Sequence, residues 1–265
     1  MPLQSTYSLP NMVKYYRFSR MEPVDLLVFG PHPDDIEIGL GGTIARHVAL
    51  GYPVGLCDLT AGEMGSNGTV DERLAEAEAA RAVLGARWRV NLRWTDRAIG
   101  EDAGQLRSAV RMIRDARPKT IALPYGADRH PDHVAAHRVL TEAVFNAGLR
   151  RYDAGGEAWK PEWVCHYFIN DSVAPSFVVD VSEHYQRKRD ALACHRSQFA
   201  PAAGGAVSTR LTSPLFLQLV ESRDAQFGAL AGVPFAEGLV VRDPIVRPHL
   251  FRQEAQTAPR APGPA

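Results

Sequence analysis

The chain has 265 residues, with 30 Lys and Arg against 30 Asp and Glu, so its formal net charge is zero. Hydrophobic residues make up 45% and charged residues 23%, proportions that support a substantial core and exclude disorder over most of the length. A neutral balance lacks the surplus cations that a general nucleic-acid binder needs to displace counterions, and no apolar run approaches the ~20 residues of a membrane helix.

Three cysteines, Cys57, Cys165 and Cys194, are widely spaced and form no CxxC pair. That usage fits a reducing compartment, predicting a cytoplasmic protein without a thiolate zinc cluster. Residues 1–23 lack the continuous apolar stretch of a signal peptide and read as a loose extension. Residues 249–265 end in the Pro/Ala-rich EAQTAPRAPGPA and read as a disordered tail. Between them, 24–248 is predicted to form one catalytic domain.

In chain order, DLLVFG (Asp25–Gly30) reads as a buried strand leading into PHPDD, and IGLGGTIARHVALG as a helix ending at Gly51. PVGLCDL (Pro53–Leu59) is a second strand, followed by the Gly-rich loop AGEMGSNG. The helix in TVDERLAEAEAARAVLG has Thr69 as N-cap, Glu72 three residues on, and Gly85 at its end. Strands follow at Trp88–Arg93, Lys119–Pro124, Trp163–Ile169 and Ser176–Val181, with helices at Gln105–Ala116, His133–Ala147 and Glu183–Ser197. Ala200–Ser213 is small and polar enough for a mobile loop. Near-continuous apolar strands alternating with helices predict an α/β, Rossmann-like fold. Its sheet is mainly parallel, in order 3-2-1-4-5 plus C-terminal additions, with helices on both faces. In that order strands 1 and 4 are neighbours, and their C-terminal ends flank the switch-point crevice where ligands bind.

The two segments that follow those strands carry the chemistry. His32, Asp34 and Asp35 lie in one; His130, Asp132 and His133 lie in the other. Imidazole and carboxylate suit Zn²⁺, or Fe²⁺ in a similar mononuclear site. A catalytic zinc takes three protein ligands: His-x-x-Asp supplies two, and a histidine of the second segment supplies the third. One carboxylate is then left as a general base. The blander alternative is that Asp34 or Asp35, and Asp132, simply cap the helices that follow. His137 lies i,i+4 from His133 and is the weaker ligand, because His133 sits nearer the strand end.

HPDDIEIGLGGTIA and DRHPDHVAAHR resemble the paired signatures of the LmbE/PIG-L family of metal-dependent N-deacetylases. GLCDLTAGEMGSNGTVDERLAEAEAARAVLGA, NLRWTDRAI, the SQF of Ser197–Phe199 and the AEG of Ala236–Gly238 resemble its bacillithiol-biosynthesis branch, which deacetylates N-acetylglucosaminyl-malate. The resemblance implies that His32, Asp35 and His133 hold zinc (or iron), that Asp34 is the general base, and that protonated His130 stabilises the oxyanion. It further implies that Arg73, Asp96, Arg97 and Arg129 bind substrate, a small-molecule glycoside, in a homo-oligomer that engages neither nucleic acid nor membrane. The chain departs from the branch at Gly126, where a second aromatic is usual, at Ala98, and at His195, where the branch often has Tyr.

Other features have ordinary explanations. Gly39, Gly41 and Gly42 lack dinucleotide-loop spacing and suggest close packing of a helix. Leu74, Ala77, Ala80, Val83 and Leu84 form a core stripe. Trp88, Trp94, Trp159 and Trp163 are expected to pack, and Cys57 to be a buried hydrophobe.

Overall fold

The apolar runs of the sequence assemble into one seven-stranded sheet. The computed structural model describes residues 21–200 and 207–246. Most of the predicted N-terminal extension (1–20), the tail (249–265) and residues 201–206 of the predicted mobile loop therefore lie outside the described residues. The strands are β1 (Leu26–Gly30), β2 (Val54–Thr60), β3 (Trp88–Trp94), β4 (Thr120–Pro124), β5 (Trp163–Tyr167), β6 (Phe177–Asp180) and β7 (Ala236–Val240). Their order is β3-β2-β1-β4-β5-β7-β6. The first five are parallel, as predicted, and β7 runs antiparallel to both β5 and β6.

Side-chain alternation divides the strands between two cores. Leu26, Val28, Val54, Leu56, Cys165 and Tyr167 face α1 (Asp35–Ala49), α2 (Val70–Leu84), α5 (Tyr185–Cys194) and α7 (Pro214–Ala231). Leu27, Phe29, Cys57, Leu59, Ile121 and Leu123 face α3 (Ala103–Ala116) and α4 (Pro131–Ala147). Burial on both faces explains why these strands read as continuous apolar runs. Among the described residues no helix is long and apolar enough to cross a membrane.

Local signals with a direct physical cause are realised in the fold. Thr69 and Glu72 form a reciprocal capping box on α2, and Gly85 ends it in the left-handed conformation. The glycines of α1 mark close approach. A Cβ on Gly39 would lie 2.1 Å from the Tyr167 ring, which sits there and donates its hydroxyl to Phe29 O at 2.8 Å. Within α1, Leu40 leaves the helical region (φ −135°, ψ 16°).

The C-terminal part differs from expectation in three places. The helix predicted over Glu183–Ser197 is a 3-10 turn (Ser182–His184), α5, and then a short α6 (Arg196–Phe199), broken at His195 (φ −81°, ψ 58°). The fully buried His195 ring is drawn inward, with Nε2 3.4 Å from Glu37 Oε2. The unspecified C-terminal additions are α7 and β7. Residues 207–213, part of the predicted mobile loop, are tied to the AGEMGSNG loop: Asn67 donates to Val207 O at 2.8 Å and accepts from Val207 N at 2.9 Å.

Candidate metal centre and active site

The loops after β1 and β4 bring His32, Asp34 and Asp35 against His130 and His133. They line one cavity of about 250 Å³ with Ile38, Met64, Ile169, Leu211 and Phe216. Asp35 is central. Its Oδ2 lies 3.0 Å from His32 Nδ1 and 3.3 Å from His133 Nε2.

Each ring nitrogen of His32 and His133 faces a carboxylate. His32 Nε2 faces two, Asp96 Oδ1 at 3.2 Å and Asp132 Oδ2 at 3.3 Å. His133 Nδ1 faces Asp128 Oδ1 at 3.0 Å. The remaining ring nitrogens flank the same carboxylate oxygen, an arrangement that favours a proton or a cation among them. A tetrahedral ion ~2.1 Å from each of its ligands separates those ligand atoms by roughly 3.4 Å, close to the two spacings from Asp35 Oδ2. Carboxylates behind ligating imidazoles are the usual outer support of a metal. His32, His130 and His133 offer ligand atoms within 4.8 Å of one another, and Asp35 lies between His32 and His133, a donor set that fits a zinc or iron ion.

Electrostatics agree with that reading. Burial works to lower the His133 pKa, but Asp35 and Asp128 push it up to about 9. His32 is raised well above its ordinary value against its own burial, by its bonds to Asp132, Asp35 and Asp96. Burial pushes Asp34 up to about 6, although Arg73 opposes it. His130 is lowered by burial and by the neighbouring His32 and His133.

Asp34 occupies the N-cap position of α1 but makes no side-chain cap bond, so capping does not account for it. Its φ is 127°, a region costly for a residue with a Cβ. Asp132 does not cap α4 either. The cap is His130, whose Nδ1 accepts from Asp132 N at 3.2 Å. With Nδ1 an acceptor, the ring is neutral and its donor is Nε2–H. This differs from the protonated ring of the sequence reading, because α4 needs that lone pair.

A family profile described as PIG-L, GlcNAc-PI de-N-acetylase, matches residues 27–144. The 1D-myo-inositol 2-acetamido-2-deoxy-alpha-D-glucopyranoside deacetylase 2 of Catenulispora acidiphila is 30% identical over 249 residues, with 68% of this chain and 81% of that one covered. The diacetylchitobiose deacetylase of Thermococcus kodakarensis is 32% identical over 189 residues, with 66% and 70% covered. This chain belongs to the PIG-L/LmbE family. The conserved protein TT1542 from Thermus thermophilus superposes with a TM-score of 0.78 at 37% identity, over 87% of this chain and 100% of that one.

Of the four substrate-binding candidates in this PIG-L/LmbE chain, three are tied into its scaffold. Arg73 is buried behind Asp34, donating to Gly62 O (2.8 Å), Pro33 O (3.0 Å) and Asp34 Oδ2 (3.3 Å). Asp96 holds His32 and accepts from Met64 N at 3.0 Å. Arg97, left-handed at φ 67°, gives Asp132 its backbone N–H (3.0 Å) and Nη1 (2.7 Å). Arg129 is exposed on the cavity wall. Asp128 and Asn170 were missed by sequence reasoning. Asn170 donates to Asp128 from its backbone (2.9 Å) and its amide (3.0 Å), steadying the carboxylate behind His133. The signal for Asp128 was its place two residues before His130 in the same strand-end loop. His137 lies apart, with Nδ1 3.0 Å from Pro124 O and its ring against His166.

Proposed function

We propose that this protein is a zinc-dependent N-deacetylase that hydrolyses the acetamide of an N-acetylglucosaminide, with N-acetylglucosaminyl-malate of bacillithiol biosynthesis as substrate. The observation that carries the chemistry is Asp35 Oδ2 set between two imidazole lone pairs, with Asp34 and His130 lining the same cavity. Relatives named for deacetylating an inositol glycoside and a chitobiose support the acetamido-sugar class. Arg97, with its side chain 46% exposed, and exposed Arg129 place positive charge at the cavity wall, which suits an anionic aglycone.

An ion held by His32, Asp35 and His133 supplies Lewis-acid polarisation of an amide carbonyl and lowers the pKa of water. Asp34, already raised toward neutrality, accepts the proton of the attacking water. His130 donates Nε2–H to the carbonyl oxygen as negative charge develops on it, which stabilises the tetrahedral state by several kcal/mol. Asp34 then returns its proton to the departing amine, releasing acetate and a free glucosaminyl amine. Ile38, Ile169, Leu211 and Phe216 give the same cavity an apolar wall beside these groups.

The test measures metal content and acetate release on one purified sample, comparing N-acetylglucosaminyl-malate, the inositol N-acetylglucosaminide and free N-acetylglucosamine. Faster turnover of the malate glycoside supports the full reading. Preference for the inositol glycoside, the class for which the Catenulispora relative is named, replaces only the aglycone. Release from none of the three overturns the deacetylase reading.

A further inference from the structure

The break in α1 exposes backbone groups inside the core. In an unbroken helix Gly42 and Thr43 would donate to the carbonyls of Ile38 and Gly39. Here both N–H groups go to the carboxylate of Glu237 on β7, at 3.0 and 2.7 Å. The Ile38 carbonyl accepts from Arg223 Nη2 of α7 at 2.8 Å.

Those two replacements are joined. Lys188 Nζ of α5 donates to Glu237 Oε1 (2.7 Å) and to Asp224 Oδ2 (2.6 Å), and Arg223 Nε donates to Asp224 Oδ1 (3.1 Å). Tyr185 supplies a further bond to Asp224 at 3.1 Å. Lys188 and Glu237 are 0% exposed and Asp224 is 1%. The result is an alternating chain of charges, Glu237–Lys188–Asp224–Arg223, buried up to the half-buried Arg223, whose two ends satisfy the two sides of the break.

The same Arg223 reaches both halves of the site. Ile38 N donates to Asp34 O at 3.0 Å, so the carbonyl that Arg223 holds belongs to the turn carrying Asp34 and Asp35. Its Nη1 donates to Phe168 O (3.2 Å) and Ile169 O (2.9 Å), immediately before Asn170, which holds Asp128 behind His133. One guanidinium thus fixes the backbone of the first ligand segment and of the stretch whose next residue supports the second.

We propose that the Glu237–Lys188–Asp224–Arg223 chain is a positioning device that substitutes for the missing turn of α1 and sets the separation of Asp35 from His133. Buried polar chains of this kind are costly unless every member is satisfied, and here every member has partners. Ligand geometry tolerates only roughly 0.5 Å of error, so loosening either end of the chain degrades metal binding before it unfolds the protein. The proposal rests on reading His32, Asp35 and His133 as metal ligands.

The test compares Arg223→Met, Arg223→Lys and Glu237→Gln with Arg114→Met. Arg114 is buried, donates to Ala147, Tyr152, Gly155 and Leu149 carbonyls, and lies on the other face of the sheet. Zinc affinity is read by competition with a chromophoric chelator, alongside kcat, KM and thermal midpoint. Arg223→Met and Glu237→Gln are expected to weaken zinc binding and lower kcat by about ten-fold or more, within the range for lost outer-shell support, with KM within two-fold. Arg223→Lys falls between, and it decides the matter if Arg223→Met does not fold. Arg114→Met lowers the thermal midpoint while leaving zinc affinity within two-fold. Unchanged zinc affinity in the Arg223 and Glu237 variants, or an equal loss in Arg114→Met, overturns the proposal. A wild type that binds zinc but releases no acetate defeats the substrate reading alone, and the zinc comparison still decides this one.

Discussion

Asp34 is held in a conformation it would not choose. A φ of 127° is open to glycine and costs other residues on the order of 1–3 kcal/mol. Arg73, bonded to both Pro33 O and Asp34 Oδ2, keeps the residue there. Asp34→Gly and Asp34→Ala both remove the proposed base, yet only glycine relieves the backbone, so chemical denaturation is expected to find Asp34→Gly more stable than Asp34→Ala by about 1 kcal/mol. Equal stabilities would mean that the turn stores no strain. Asp34→Asn should still load zinc by elemental analysis while acetate release falls about 10²–10⁴-fold. At Asp128, the asparagine variant keeps the shape but loses the charge that faces His133, and zinc affinity is expected to drop about 10–100-fold in chelator competition. An Asp128→Asn protein with native affinity would remove that carboxylate from the site's support.

At the level of elements, α1 has the least room to vary. Gly39→Ala would place a methyl group 2.1 Å from the Tyr167 ring and 2.9 Å from Phe168 O. The neighbouring strand is backbone-fixed, so urea denaturation should show a loss of about 2–3 kcal/mol, the upper range for overpacking. A loss below the measurement error would contradict that packing. The same helix shows what a sequence displays and what it hides. Its glycines and the HPDD turn were legible because spacing alone set them apart from a dinucleotide loop. The five parallel strands were legible because burial on both faces leaves an apolar run. The break at Leu40 was not legible, since the groups that stabilise it lie at 223 and 237, almost two hundred residues away. His195 interrupts the predicted 183–197 helix for a similar reason: a pocket formed by distant Glu37 draws the ring inward. The first and third proposed metal ligands could be read from strand-end position, whereas Asp128 and Asn170 act through hydrogen bonds that no local pattern announces.

Across the whole molecule, the equal count of 30 cations and 30 anions conceals a strongly uneven distribution. Carboxylates and imidazoles gather at the C-terminal ends of β1 and β4, and a second buried set spans α5, α7 and β7. Stability should depend on acidity through a residue outside both. His166 on β5 is 3% exposed, its Nε2 has no hydrogen-bond partner, and burial, then His137, lowers its pKa to about 4. The folded state keeps this ring neutral, while the unfolded chain protonates it below its ordinary 6.5. Stability is therefore lost as pH falls from 6.5 to 4, by ~3 kcal/mol at the limit. Comparing urea midpoints across that interval for wild type and His166→Gln tests this, and parallel curves would refute it. The alternating chain also imposes a chronology on biosynthesis. Every proposed metal ligand lies between residues 32 and 133, but the groups that brace α1 lie between 188 and 237. A ribosome therefore delivers the ligands first and their brace last, so a nascent chain halted near residue 200 holds the full ligand set without the geometry to retain zinc. Metal acquisition then waits until β7 takes its place between β5 and β6.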